Sequence, residues 1–304
     1  MTAHAPAGLE RAEMARPKTI RETCALLAQA TRAGKSALVL AGGTDLIVDR
    51  HLMPVDRAHA VDLVVDVTGV EELTNIAERE EAGERRLTFG GGVTYWQLRT
   101  DARVRAAVPM LDAMARDVGA VQIQTRGTLA GNIATASPAA DGVPALLALE
   151  GVVKLVKQGD GALAERQVPL EDFFTGYRKT VLAADEVIAA IDVRVPRPGA
   201  RVVWRKVGTR QAQSISKVAI ASVVEVDDQK KMTRVRVGIA SVAAVPRTLR
   251  DVCRVAEYKS IDELDRADVD AAIDREIKPI DDVRSTAEYR LHVAKALVWR
   301  ALCG

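Results

Sequence analysis

The sequence is poor in cysteine, and the three cysteines that it has are far apart. Cys24, Cys253 and Cys303 match neither a CxxC pair nor a Cys/His ligand spacing. We therefore do not expect the chain to hold an iron–sulfur cluster or another metal site of its own. Free thiols in a reducing compartment are the simplest interpretation of such scattered cysteines.

Long apolar runs and an excess of charge are also missing. No apolar run approaches the roughly 18 residues of a membrane span, and the N-terminus resembles neither a signal peptide nor a twin-arginine signal, so we predict a cytoplasmic protein without a membrane span. The chain has 43 basic and 41 acidic residues, and a formal net charge of +2 does not indicate a strongly basic surface that would bind nucleic acid. Aromatic residues are only 3%, so the cores must be aliphatic.

Histidine is scarce as well, and no catalytic triad is visible. None of the four histidines lies in a serine or cysteine nucleophile motif. His292 falls within a predicted helix and is interpreted as structural. The sequence therefore predicts no catalytic side chains and no metal ligands.

The chain is long enough for two domains. Its 304 residues are 48% hydrophobic, and domains commonly have about 100–200 residues. We expect a flexible leader at 1–16, a first domain at 17–196 and a second at 197–304, with a break at Pro196–Gly199. The second domain begins with three strand patterns and ends with helical ones, which predicts a small antiparallel sheet with helices packed on it, an α+β fold.

Two glycine-rich stretches stand out in the first domain. In the first, Leu38 to Leu40 predict a buried strand that ends at Gly42 and Gly43, where the backbone can adopt positive φ and approach a ligand. Successive N–H groups in such a turn form a nest for phosphate oxygens, and Thr44 adds a hydroxyl donor. An ordinary turn between a strand and a helix explains the same residues, so this stretch alone leaves both interpretations open.

The second stretch runs from Thr125 to Asp141 and again combines small residues with the side-chain donors Thr128 and Asn132. Asp141 is an isolated acid in an apolar segment and could accept hydrogen bonds from ligand hydroxyls. It could also cap the helix that follows, and the two roles are compatible. A third glycine cluster, Gly90–Gly92, either faces the same ligand or only turns the chain before a helix.

Five short sequence motifs follow one another along nearly the whole chain and are interpreted together. They are Ala41–Leu46, Thr128–Ile133 with Ser137–Asp141, Phe173–Gly176, Lys206–Arg210 and Asp281–Arg290. No one of them is decisive alone. Together they resemble the FAD-carrying medium subunits of the molybdenum hydroxylases, a family that includes xanthine dehydrogenase and carbon monoxide dehydrogenase.

This resemblance implies a fold of the vanillyl-alcohol-oxidase type, with FAD extended between two α+β subdomains, followed by a C-terminal domain typical of these medium subunits. The first loop would hold the diphosphate and the second the rest of the cofactor, with Asp141 at the polar chain, Lys206 near the cofactor and Ile188 against the ring. The implied cofactor-binding residues are Leu40, Ala41, Gly42, Gly43, Thr44, Asp45, Leu46, Thr128, Gly131, Asn132, Ser137, Asp141, Ile188 and Lys206.

The resemblance also implies a function in electron transfer. FAD, bound non-covalently, would receive electrons from a small 2Fe–2S subunit, which collects them from a molybdopterin-binding large subunit, and would pass them to an external acceptor. A dimer of such heterotrimers is the expected assembly.

One residue departs from the family pattern. Ala130 stands where glycine is usual, and at positive φ an alanine would be strained by about 1–2 kcal/mol. Two alternatives stay open, and Ala130 supports only the first of them. One is a structural or assembly subunit with weakened FAD binding, and the other is a stand-alone flavin oxidoreductase.

Overall fold

A computed structural model describes residues 6–54, 58–210 and 213–304 of the chain. The first elements are β1 (Glu13–Ala15), α1 (Ile20–Arg32), β2 (Ala37–Leu40), α2 (Leu46–Leu52) and β3 (Leu63–Asp66). The three strands form a parallel sheet in the order β1-β3-β2. Apolar residues of α1 and this sheet form one buried cluster.

The flexible leader predicted at 1–16 is wrong for its last residues. Glu13–Ala15 pair with β3 on the side away from β2, where β3 would otherwise have no backbone partners. Residues 1–5 lie outside the described residues. Helix α1 then begins after Thr19, whose Oγ1 accepts a hydrogen bond from Glu22 N at 3.1 Å. The domain limits at 17–196 and 197–304 stay predictions.

The next part of the chain builds a larger layer of sheet and helices. Its elements are β4 (Ile76–Glu81), β5 (Glu84–Gly90), α3 (Tyr95–Thr100), α4 (Ala102–Ala107), α5 (Pro109–Arg116), α6 (Val121–Gln124), α7 (Leu129–Thr135), α8 (Gly142–Ala148), β6 (Val152–Gln158), β7 (Leu163–Pro169), α9 (Leu170–Phe173), β8 (Phe174–Gly176), β9 (Lys179–Thr180) and β10 (Val187–Arg194). Five strands form an antiparallel sheet in the order β4-β5-β10-β6-β7, while β8 and β9 form a separate hairpin. Mainly aliphatic residues of this sheet pack against α3, α4, α5, α7 and α8, as the low aromatic content predicts.

The C-terminal part is a second layer of sheet and helices. It consists of β11 (Arg201–Val207), β12 (Val218–Val226), β13 (Met232–Ala240), β14 (Arg247–Thr248), α10 (Arg250–Ala256), α11 (Arg266–Glu276) and α12 (Ala287–Cys303). The strands are antiparallel in the order β11-β12-β13-β14. A Cβ on Gly238 would lie 2.2 Å from the Pro144 carbonyl oxygen, so α8 packs directly on β13.

The predicted α+β fold with an antiparallel C-terminal sheet is therefore confirmed. Short 3₁₀ helices connect some of these elements, at Val67–Gly69, Glu71–Thr74 and Ile261–Glu263. Across the three described ranges, no helix is both long enough and apolar enough to cross a membrane.

Candidate functional site

A cleft of about 780 Å³ lies between the parallel sheet, α7 and β10. Small-molecule sites commonly measure about 300–1,000 Å³, so the cleft has room for an extended ligand. Most of the residues implied by the resemblance line it, namely Ala41, Gly42, Gly43, Thr44, Asp45, Leu46, Thr128, Gly131, Asn132 and Ile188. Four do not: Leu40, Ser137, Asp141 and Lys206.

Strand β2 forms one wall of this cleft. We predicted a buried strand at Leu38 to Leu40, but these residues are only half-buried. Both Leu38 and Val39 line the cleft, which leaves them partly open, and Val39 also packs against the buried cluster of α1 and the parallel sheet. The apolar run therefore supplies an apolar wall beside the first glycine turn.

Glycine is required at two positions of the turn after β2, for two different reasons. A Cβ on Gly42 would lie 2.0 Å from the Arg126 carbonyl oxygen, so the first loop meets the second motif backbone to backbone. Gly43 has a φ of +72°, which residues with a side chain adopt only with strain. A hydrogen bond of 3.1 Å from Thr135 Oγ1 to Asp45 Oδ2 also joins the two loops.

The N–H groups of this turn are unpaired. In the ranges 6–54, 58–210 and 213–304, no N–H group from residue 42 to residue 46 donates a hydrogen bond, whereas Ile47 N donates to Gly43 O at 3.1 Å and closes the first turn of α2. Residues 42–46 all line the cleft. Consecutive free N–H groups at the start of a helix can bind phosphate oxygens, and a phosphate nest at this turn stays a prediction.

The second motif forms the beginning of α7. Thr128 Oγ1 accepts a hydrogen bond from Gly131 N at 2.9 Å and so caps the helix. Asn132 Oδ1 accepts one from Gly142 N at 3.2 Å, which joins α7 to α8. Among the described residues, nothing accepts a hydrogen bond from the amide nitrogen of Asn132. This side chain is therefore held by its oxygen and keeps a donor for a ligand.

Asp141 and Lys206 bind each other outside the cleft. Lys206 Nζ donates to Asp141 Oδ2 at 2.6 Å and to the Asp117 carbonyl oxygen at 2.9 Å, and Ser216 Oγ donates to Asp141 Oδ1. The Lys206 side chain is 5% exposed. Burial raises the pKa of the Asp141 carboxyl, and the Lys206 charge acts against that rise. The network fixes the start of α8 to β11.

One expectation for this region needs correction. Asp141 does not cap α8, because its backbone is helical and its side chain makes no bond to the N–H groups of the helix. Its carboxylate is instead bound by Lys206 and Ser216, which the local sequence does not reveal. Ser137 holds its own turn, in which its Oγ accepts a hydrogen bond from Ala139 N at 3.2 Å.

Ala130 is not in the strained conformation that its replacement of glycine suggested. It lies inside α7 and is not among the residues with positive φ. Its side chain is 7% exposed and belongs to the large buried cluster. Alanine is well suited to such a helical position. The only sequence argument for weakened cofactor binding therefore disappears.

The third glycine cluster packs closely against neighbouring backbone, and one of its glycines reaches the cleft. A Cβ on Gly90 would lie 2.2 Å from the Leu73 carbonyl oxygen, and one on Gly91 would lie 2.1 Å from that of Ile188. Both glycines are therefore needed for close backbone packing. Gly91 also lines the cleft beside Ile188.

Other cleft residues were missed by sequence reasoning. Arg178, next to the motif Phe173–Gly176, pairs with Asp49 of α2 at 2.8 Å, and this ion pair joins the β8–β9 hairpin to α2 across the cleft. Tyr95 lines the cleft from the first position of α3 and is 2% exposed. Nothing in the local sequence distinguishes this tyrosine from a core residue.

Comparison with known families assigns both parts of the chain. The family described as the FAD binding domain in molybdopterin dehydrogenase matches residues 10–198. The chain belongs to this family. A second family, described as the CO dehydrogenase flavoprotein C-terminal domain, matches residues 204–303. The resemblance inferred from the five stretches is thus confirmed.

Relatives within the family are similar over most of their length. The nicotinate dehydrogenase FAD-subunit of Eubacterium barkeri is 32% identical over 215 residues, which cover 70% of this chain and 68% of that protein. The carbon monoxide dehydrogenase medium chain of Hydrogenophaga pseudoflava is 29% identical over 295 residues, 96% of each chain. The structure of carbon monoxide dehydrogenase from that organism, in a form lacking the Mo-pyranopterin moiety, superimposes with a TM-score of 0.84 at 26% identity, covering 98% of this chain and 97% of the other.

The cofactor is FAD, and the chain is a flavoprotein oxidoreductase subunit of the molybdenum hydroxylase type. The cleft fits this cofactor on its own geometry. Its free N–H groups suit a diphosphate, and its volume suits an extended molecule.

Proposed function

We propose that this chain is the FAD-binding electron-transfer subunit of a molybdopterin-dependent hydroxylase or dehydrogenase. When bound, FAD supplies the redox chemistry, receiving electrons from an iron–sulfur subunit and passing them to an external acceptor. The observation that carries the proposal is the row of unpaired N–H groups from residue 42 to residue 46 at the cleft, in a chain of this family. The protein's own contribution is to bind and position the cofactor.

The proposed partners are a molybdopterin-binding large subunit and a small 2Fe–2S subunit, assembled as a dimer of heterotrimers in the cytoplasm. Relatives carry names such as medium chain and FAD-subunit, which supports an assembly of several different subunits. The chain's three cysteines are scattered and cannot supply the four ligands of an iron–sulfur cluster. Burial also raises the pKa of Cys24 to about 11 and that of Cys253 to about 12, so these thiols stay protonated.

The residues of the site divide into two proposed roles. Those that line the cleft bind FAD directly, with residues 41–46 at the diphosphate, Asn132 donating from its amide nitrogen and Ile188 packing against the ring. Asp141 and Lys206 do not line the cleft and act indirectly. They fix the start of α8, where Gly142 N donates a hydrogen bond to Asn132 Oδ1 and so positions the Asn132 side chain. Ser137 and Leu40 support the same two loops.

The test is to produce the chain alone and together with the products of neighbouring genes. We expect each preparation to release FAD on denaturation, identified by chromatography against FMN. We also expect that a substrate of the complex reduces the flavin only in the complete complex. Release of FMN, or no flavin in either preparation, would refute the proposal.

The same experiment separates the alternatives. A stand-alone flavin oxidoreductase predicts that substrate reduces the flavin of the isolated chain. An assembly subunit predicts a complex that forms normally without flavin in this chain. The helical conformation of Ala130 gives that second alternative no support.

A further inference from the structure

Asp49 and Arg178 form an ion pair that spans the cleft. Arg178 Nη1 lies 2.8 Å from Asp49 Oδ2, and both residues line the cleft. Asp49 belongs to α2, which follows the first glycine turn, whereas Arg178 lies in the loop of the β8–β9 hairpin. The two residues are 129 positions apart in the chain. The pair therefore joins two separate parts of the chain at the cleft.

The β8–β9 hairpin is anchored at its base and exposed at its tip. Phe173 and Phe174 are buried at the base, with their ring centroids 5.5 Å apart. Val181 N, just after β9, donates a hydrogen bond to the Phe173 carbonyl oxygen at 3.0 Å. At the tip, Tyr177 is 64% exposed. The contact with Asp49 therefore holds the exposed end of the hairpin against α2.

The backbone of Arg178 has a conformation that an arginine rarely adopts. Gly176 pairs with Lys179, so Tyr177 and Arg178 form a two-residue loop, in which Arg178 has a φ of +51°. Glycine or asparagine is the usual residue at such a position, because a larger side chain is strained there. Strain of this kind is typical of sites where a side chain has a function. For Arg178, the contact that glycine could not make is the one with Asp49.

Helix α2, on the other side of the pair, is held only weakly by packing. None of its residues is buried, and segments with few buried contacts open locally at a small cost in free energy. The side chains of Arg178 and Asp49 are 46% and 44% exposed. Water and salt therefore reach the pair, and it can open while the cores on either side stay folded.

The pair lies close to the unpaired N–H groups of residues 42–46. Asp49 N donates a hydrogen bond to Asp45 O at 2.8 Å, so Asp49 is one helical turn beyond Asp45. A ligand bound along residues 42–46 would lie beside the ion pair. The hairpin and α2 would have to separate for such a ligand to leave past them.

We propose that the ion pair between Arg178 and Asp49 is a latch that retains FAD, and that its opening is the step through which the cofactor enters and leaves. The inference rests on the assignment of FAD to this cleft. It adds two residues outside the motifs to which cofactor binding was attributed, and it gives the strained hairpin loop a function.

The test measures how fast FAD leaves the full-length chain, from the rise of flavin fluorescence after dilution. Arg178→Met and Asp49→Asn should each release FAD about two- to fivefold faster than the parent, the effect expected for the loss of one exposed ion pair. Raising NaCl from about 0.05 to about 0.5 M should accelerate release more in the parent than in either variant, because salt screens the pair.

Asp49→Asn is the decisive variant. It removes a negative charge beside an anionic cofactor, which on electrostatic grounds alone would slow release. Faster release therefore indicates the lost latch. The double variant Asp49→Arg/Arg178→Asp restores an ion pair with its charges exchanged, and it should recover most of the parent's slow release.

Arg250→Met is the matched control. Arg250 pairs with Glu171 at 3.0 Å, is similarly exposed and does not line this cleft, so its loss should leave FAD release unchanged. Release from Asp49→Asn no faster than from the parent would overturn the proposal, as would a charge-exchanged double variant as fast as the single ones. The FAD content of the parent is determined first, so that failure of the latch is distinguished from failure of the FAD assignment.

Discussion

The ammonium nitrogen of Lys206 lies 2.6 Å from Asp141 Oδ2, although the two residues are 65 positions apart in the chain. Both side chains are largely buried, at 5% and 15% exposure. A buried pair of this kind contributes little net stability, but the loss of one partner leaves an uncompensated charge in the interior. The pair therefore makes the contact between α8 and β11 sensitive to either residue.

Replacing Lys206 by Met should lower the free energy of unfolding by about 3–5 kcal/mol, because the Asp141 carboxylate stays buried without its countercharge. Urea unfolding of the flavin-free chain measures this loss. Lys154→Met is the control, since Lys154 pairs with Glu165 at 2.7 Å on the surface, and it should cost less than about 1 kcal/mol. Equal losses for the two variants would contradict the prediction. The double variant Lys206→Met/Asp141→Asn should recover much of the lost stability.

Replacing Gly43 by Val should weaken FAD binding by more than about tenfold, or about 1.4 kcal/mol. The new side chain would meet a φ of +72° and would lie close to Leu40 and Ile47, so the turn must move. FAD retained per chain after gel filtration is the measurement. Gly161→Val imposes the same strain at φ +81° in a hairpin turn with no neighbour within 4 Å, and this control should retain FAD.

How much of the site follows from sequence depends on how local each constraint is. Gly42 and Gly43 could be predicted because positive φ and close backbone contact both require glycine, and two adjacent glycines are visible in the sequence. The partner of Asp141 could not, because Lys206 and Ser216 reach it from β11 and from just before β12. The local pattern suggested that Asp141 caps a helix, but its carboxylate is bound by Lys206 and Ser216, which are distant in the sequence.

Tyr95 and Ala130 illustrate the same limit in opposite directions. Tyr95 carries no motif, and its place in the lining of the cleft is visible only in the folded chain. Ala130 departed from a family pattern and suggested strain, but the strain depended on a backbone conformation that the helix does not have. Backbone conformation, unlike residue identity, is a property of the whole fold.

Replacing Ala130 by Gly, the usual residue of the family, should not increase FAD binding. Because Ala130 is helical, glycine there should instead lower the free energy of unfolding by about 0.5–1 kcal/mol. Flavin content and urea unfolding of the two proteins are compared side by side. A variant with more FAD than the parent would restore the alternative of weakened cofactor binding.

The stability of the cleft wall should depend on pH through the carboxylate of Glu186. Arg166 binds it through two hydrogen bonds of 2.6 and 2.7 Å, and Ala183 N donates a third at 2.9 Å. The hydrogen bonds from Arg166 hold the pKa of Glu186 below its ordinary value of 4.5, although burial acts against them. Because the pKa is lowered in the folded state, this stability is present above about pH 4.5 and is lost as the pH falls through the folded pKa.

Glu186→Gln should therefore cost about 1–2 kcal/mol near neutral pH and much less at about pH 3.5. The smaller end of that range is expected because the Arg166 side chain is 44% exposed and its charge is partly screened. Urea unfolding at both pH values measures the difference, with the surface variant Glu165→Gln as control. If the cost of Glu186→Gln were equal at the two pH values, Glu186 would not be the group that titrates between them, and the predicted pH dependence would be wrong.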